Sequence, residues 1–187
     1  MNEALLSLLN QNPKRLINIG SAEGYYAVGL AVKNPNLDIV AVDPSIQSRK
    51  YLKILAEQNQ VAHRLTILKF LPFRLMNQLI IPHNTLLLVD CEGSEIGYLN
   101  LDYVPKLREA SIIVETHDFV FPTITTELIS HFSTTHEIQV IKQESRNQMD
   151  YPIIKELPKN TAEYLLNEKR PSSICWLVMK PKSEQSK

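Results

Sequence analysis

Along most of the chain, short and nearly unbroken apolar runs alternate with longer stretches in which apolar residues recur every three or four positions. The runs Leu16 to Ile19, Leu37 to Val42, Arg64 to Lys69, Thr85 to Val89 and Ser111 to Val114 predict strands, several apolar enough to be covered on both faces. Between them, Tyr25 to Lys33, Ile46 to Asn59 and Phe73 to Ile80 carry helical spacing, and Ser45 behind Pro44 is a good N-cap for the longest of these. Leu5, Leu6, Leu8 and Leu9 predict a short leading helix over residues 2–10, broken at Asn12-Pro13. Strict alternation of strand and helix implies an α/β fold with a doubly wound, mostly parallel sheet.

After about residue 130 the pattern changes. Glu137 to Lys142 and Ser173 to Lys180 are strand-like, with a polar helix over Thr161 to Glu168 between them, so an antiparallel pair is expected at one sheet edge. No internal repeat or low-complexity linker interrupts the chain, which predicts one domain over 1–187 with a short solvated tail at Ser183 to Lys187.

In an open α/β sheet, ligands sit beyond the carboxyl ends of the strands. The first strand ends in Gly20-Ser21-Ala22-Glu23-Gly24 and the second in Asp43, the arrangement with which such sheets build nucleotide sites. A dinucleotide fingerprint needs G-x-G-x-x-G, whereas this turn is Gly20-x-x-x-Gly24 followed by the bulky Tyr25-Tyr26. The wider turn favours a ligand without phosphates, such as S-adenosylmethionine. A NAD-dependent oxidoreductase is the lesser alternative. The plain alternatives are a tight turn for the glycines and a helix-dipole charge for Asp43.

Strands four and five deliver Asp90, Glu92, Glu115, His117 and Asp118 to the same edge. Like charges gathered this closely share a proton or a cation. Plain readings stand beside this one: Glu92-Gly93 as a turn, Glu95 as a helix-dipole charge, and Glu115 as an acceptor for backbone amides. Cys91 lies between two acids, which raise a thiol pKa and disfavour a nucleophilic role.

Composition narrows the partners. The 187 residues carry 20 basic and 20 acidic side chains, so the zero net charge removes the usual electrostatic argument for nucleic acid or an acidic membrane. Two distant cysteines, no signal-peptide pattern and no apolar run of membrane-spanning length predict a cytoplasmic chain. Asp90 is followed by Cys91-Glu92-Gly93 rather than the Pro-Pro-Tyr expected of an enzyme that methylates nucleobase amines.

The phrases Asn18 to Tyr26, Val42-Asp43-Pro44, Asp90-Cys91-Glu92-Gly93-Ser94-Glu95 and Val114 to Asp118 together resemble the class I S-adenosylmethionine-dependent methyltransferases. Within them, Asp-x-Glu-Gly-x-Glu resembles the FkbM-type family, mostly O-methyltransferases. The resemblance covers roughly Leu16 to Asp118. It implies a seven-stranded sheet with an inserted antiparallel strand and O-methylation of a small-molecule or sugar hydroxyl. Gly20 and Gly24 would pass under the methionine and sugar of the cofactor, and Asp43 would accept from the ribose hydroxyls. Phe70 would flank adenine, and Asn18 stands where many members carry an acid.

Taken with their neighbours Ser21, Glu23, Tyr25, Pro44 and Asp90, these form the expected cofactor set. Asp90, His117 and Glu92 are the expected catalytic residues, because the sulfonium is already activated and the acceptor proton must be removed. By analogy with catechol-type members, Asp90, Glu115 and Asp118 would hold a divalent cation such as Mg2+. The expected partner is a small-molecule acceptor, with a second copy of the chain left open. Arg170 is either an anchor for an acidic acceptor or a surface charge. A binding or scaffolding module that keeps the pocket without turnover is the alternative from another class.

Overall fold

The computed structural model describes residues 2–142, 147–167 and 174–182. Arg170, the end of the expected polar helix, the start of the last expected strand and the tail at Ser183 to Lys187 lie outside the described residues.

Seven strands form one sheet: β1 (Arg15–Ile19), β2 (Asp38–Val42), β3 (Leu65–Leu68), β4 (Thr85–Val89), β5 (Ser111–Thr116), β6 (His136–Lys142) and β7 (Cys175–Pro181). Their order is β3-β2-β1-β4-β5-β7-β6. The contiguous run β3 to β5 is parallel, while β7 is antiparallel to both β5 and β6. This is a doubly wound, mostly parallel α/β sheet with the antiparallel strands at one edge, as the sequence predicts.

The helices are α1 (Asn2–Leu9), α2 (Tyr25–Lys33), α3 (Ile46–Gln58), α4 (Phe73–Leu79), α5 (Glu95–Tyr98), α6 (Ile124–Phe132) and α7 (Lys159–Leu166). They cover both sheet faces because the strands alternate apolar residues to both sides. Ile17, Ile19, Leu87, Val89, Ile112 and Val114 pack with Met76 of α4 and Leu128 and Phe132 of α6. On the other face, Leu16, Ile39, Ala41, Leu86 and Leu88 pack with Leu5 and Leu8 of α1, Val28 of α2 and Leu52 of α3. Among the described residues, no helix is long and apolar enough to cross a membrane.

Two boundaries differ from expectation, the first of them at the site. β5 continues through Glu115 and Thr116, since these pair with Trp176 and Cys175 of the antiparallel β7, a partner invisible to local periodicity. α7 begins at Lys159, two residues before the expected start.

Candidate cofactor and active site

The first turn brings the ends of β1, β2 and β4 together through one glycine. Gly20 has φ +78°, and a Cβ there would lie 1.6 Å from the Asp90 carbonyl oxygen. Any side chain would therefore push the β1 and β4 ends apart. The Gly20 and Ser21 amides both donate to the Val42 carbonyl, at 2.9 and 3.0 Å, which ties the turn to β2. Gly24, with φ +96°, leads into α2, and a Cβ there would approach Leu52 Cγ at 2.8 Å.

Asp43 joins the first turn to the second. Its Oδ2 accepts from the Ala22 amide and its Oδ1 from the Ser45 amide, each at 2.9 Å. Each carboxylate oxygen keeps a further lone pair, so a vicinal diol can still be met. Ser45 caps α3 by accepting from the Ser48 amide, and Arg49 donates to the carbonyls of Asp43 and Pro44 at 2.7 and 2.8 Å. Both turns are thus held before any ligand arrives.

A cleft of about 780 Å³ opens above these strand ends. Gly20, Asp43, Pro44, Phe70, Asp90 and Glu92 from the expected set line it. Phe70 is 61% exposed, and its ring lies 6.4 Å from that of Tyr98. The cleft is also lined by Ala22, Lys69, Cys91, Ser94 and Tyr98, none of which was expected there. Ala22 lies inside the Gly20–Gly24 turn and Lys69 and Cys91 adjoin Phe70 and Asp90, whereas no local signal marks Ser94 or Tyr98.

The remaining expected cofactor residues do not line the cleft. Asn18 is buried, with Nδ2 donating to the Leu88 carbonyl at 3.3 Å. Its Oδ1 and the buried Ser21 hydroxyl have no hydrogen-bond partner among the described residues. Glu23 is exposed. Tyr25 is 81% exposed and meets the half-buried Tyr26 edge-on at 5.0 Å. Burial, then the charges of Tyr25, Asp90 and Glu115, push the Tyr26 phenol up to about 12.

Beyond the cleft wall lies a carboxylate-histidine cluster. After β4 the backbone turns through Glu92 at φ +53° and Gly93 at φ +102°, which carries the chain back so that Glu95 points inward from the first turn of α5. Glu95 is fully buried; its Oε1 accepts from the Gly93 amide at 3.0 Å and contacts His117 Nδ1 at 2.7 Å. His117, also fully buried, directs Nε2 toward Glu92 Oε2 at 3.3 Å, Asp90 Oδ1 at 3.6 Å and Glu115 Oε1 at 3.9 Å. Nε2 makes no hydrogen bond among the described residues.

Each member of the pair favours the charged form of the other. Burial alone would lower the His117 pKa, but the Glu95 hydrogen bond and the charges of Glu95, Glu92 and Asp90 raise it above the ordinary value. For Glu95, burial pushes upward, and the bonds from His117 and Gly93 pull the carboxyl below its usual range. Burial is the first cause that raises the Cys91 thiol, followed by the charge of Glu95, so Cys91 stays protonated.

Asp118 is turned away from this cluster. It accepts from the Thr125 amide at 2.9 Å and from the Thr125 hydroxyl, which ties the loop after β5 to α6. The donor atoms that do converge, all within 4.8 Å of one another, belong to Asp90, Glu115 and His117. His117 stands in the place expected for Asp118, because the backbone beyond Thr116 directs its side chain, not that of Asp118, toward β4.

No protein-family model and no curated protein matches the chain. Solved structures do resemble it in fold. A precorrin-6y C5,15-methyltransferase from Geobacter metallireducens aligns over 96% of this chain and 88% of its own, with TM-score 0.62 and 13% identity. A S-adenosylmethionine-dependent methyltransferase from Geobacter sulfurreducens, bound to S-adenosylhomocysteine, covers 97% and 92% with TM-score 0.57 and 14% identity. An O-methyltransferase from Bacillus cereus, also bound to S-adenosylhomocysteine, covers 95% and 79% with TM-score 0.60 and 11% identity. The chain has the fold of these methyltransferases.

Proposed function

We propose that the chain is a S-adenosylmethionine-dependent methyltransferase of the FkbM type, acting on a hydroxyl of a small molecule or sugar in the cytoplasm. The observation that carries this reading is one cleft lined at once by Asp43, suited to a ribose diol, and by Asp90 and Glu92, which lead to His117. Phe70 and Tyr98 supply an aromatic wall for a purine.

In the reaction, the acceptor oxygen forms a bond to the methyl carbon while the carbon–sulfur bond breaks and its electron pair returns to sulfur. The product is S-adenosylhomocysteine, and the acceptor loses a proton. Asp90, with a partly exposed side chain on the cleft wall, takes that proton from the hydroxyl and releases it to solvent, while His117 Nε2, 3.6 Å behind it, orients the carboxylate. Glu95 holds His117 at Nδ1 and so fixes Nε2 toward Asp90. His117 is fully buried and acts through Asp90.

The test is transfer of labelled methyl from S-adenosylmethionine to a panel of phenolic and sugar hydroxyls. Asp90→Asn is expected to lower kcat at least 100-fold while S-adenosylhomocysteine still binds. Wild-type turnover retained by that variant contradicts the mechanism.

A second reading rests on an exposed aromatic pair at the start of α4. Phe73 and Tyr103 stack at 5.1 Å with planes 6° apart, and Tyr103 is 63% exposed. Such a surface suits a cofactor-binding module that docks a partner chain. Cofactor binding without transfer to any acceptor in the panel selects this reading.

A further inference from the structure

His117 Nε2 is a fully buried ring nitrogen with no hydrogen-bond partner among the described residues, and it faces three carboxylates. Leaving such an atom unmet is costly, so a cluster of this design is built around something. Its other nitrogen is fixed by Glu95, which also accepts from the Gly93 amide and therefore cannot swing away without losing two bonds. A carboxylate that orients a histidine from behind is the arrangement that surrounds protein-bound metal ions.

We propose that His117 Nε2, Asp90 Oδ1 and Glu115 Oε1 form a site for a first-row divalent transition ion, with Glu95 as the positioning residue and Glu92 Oε2 as a further oxygen at its rim. Donors about 2.1 Å from one ion stand about 3.0 to 3.5 Å from each other. From His117 Nε2 the separations are 3.6 Å to Asp90 and 3.9 Å to Glu115, and all three donor atoms lie within 4.8 Å, so closure needs only side-chain adjustments.

The donor chemistry sets the class of ion. An all-carboxylate set suits Mg2+, which prefers oxygen ligands, near-ideal octahedral geometry and retained waters. With Asp118 held by Thr125 and an imidazole in its place, the set suits Mn2+, Fe2+, Co2+ or Zn2+ instead. Asp90 lines the cleft, so the ion stands at its wall, where it would lower the pKa of an acceptor hydroxyl.

The test is titration of the chelator-stripped 187-residue protein with Co2+, followed by visible d–d absorption. One Co2+ per chain with micromolar or tighter affinity is expected, displaced by Zn2+ and not by millimolar Mg2+. His117→Gln and the near-isosteric Asp90→Asn should each weaken binding at least 100-fold, and Glu95→Gln by about 10–100-fold. No d–d bands with Co2+ at millimolar concentration, bands unchanged in Asp90→Asn, or equal displacement by Mg2+ overturns the proposal; the last outcome needs no variant to fold. S-adenosylhomocysteine calorimetry in chelator reports on the cofactor site separately, so failure of the ion site leaves that reading standing.

Discussion

Glu95 Oε1 lies 2.7 Å from His117 Nδ1, although the residues are 22 positions apart and on different elements. Both side chains are fully buried, so each is the other's principal counter-charge. The contact fixes which imidazole nitrogen faces the acidic wall.

Replacing Glu95 with Gln keeps an oxygen near Nδ1 and removes the charge. The His117 titration midpoint, followed by imidazole NMR in chelator, is expected to fall toward the ordinary histidine value. Methyl transfer at neutral pH should drop at least tenfold with the KM for S-adenosylmethionine unchanged. An unmoved midpoint contradicts the role assigned to Glu95.

Asp118 is expected to matter for stability rather than for ligands. Asp118→Ala removes the acceptor for the Thr125 amide and hydroxyl at the start of α6, and urea denaturation should report a loss of about 1 kcal/mol. Binding of S-adenosylhomocysteine and of Co2+ should stay at wild-type strength. A hundredfold loss of Co2+ affinity instead would place Asp118 among the ligands.

The different fates of Asp43, Asp118 and Glu95 show where sequence reading stops. Strand ends are legible because apolar runs end where the chain leaves the sheet, and that alone located Gly20, Asp43, Asp90 and Glu115 on one edge. Which neighbour points inward is settled by backbone turns and by partners distant in sequence. Glu95 reads locally as a helix-dipole charge, and only the left-handed turn at Glu92-Gly93 aims it at His117. Asp118 reads as a ligand until Thr125 is seen to hold it. Asn18 stands at the first-strand position where an acid was expected, and its amide is bonded to Leu88 inside the sheet.

His136 supplies a pH dependence independent of the cleft. It is buried in β6, with Nε2 on the Ala110 carbonyl at 3.0 Å and Nδ1 on the Thr135 hydroxyl at 2.8 Å. Burial lowers its pKa first, the Ala110 bond opposes that, and Lys182 lowers it further. A histidine with a depressed folded pKa binds its proton more readily when unfolded. Its contribution is therefore intact above the ordinary value of 6.5 and is lost as pH falls toward the folded value. Urea denaturation in chelator at pH 7.5 and pH 5 should show a smaller acid-induced loss in His136→Gln than in the wild type. Equal losses contradict this.

On the proposed function the turns at Gly20 and Asp43 bind the adenosyl cofactor, and isothermal calorimetry with S-adenosylhomocysteine is the decisive measurement. The expected result is one molecule bound per chain at micromolar concentration, weakened at least tenfold in Asp43→Ala, where about 1–3 kcal/mol of hydrogen bonding is lost. No binding at millimolar ligand, or equal binding by wild type and Asp43→Ala, would contradict it.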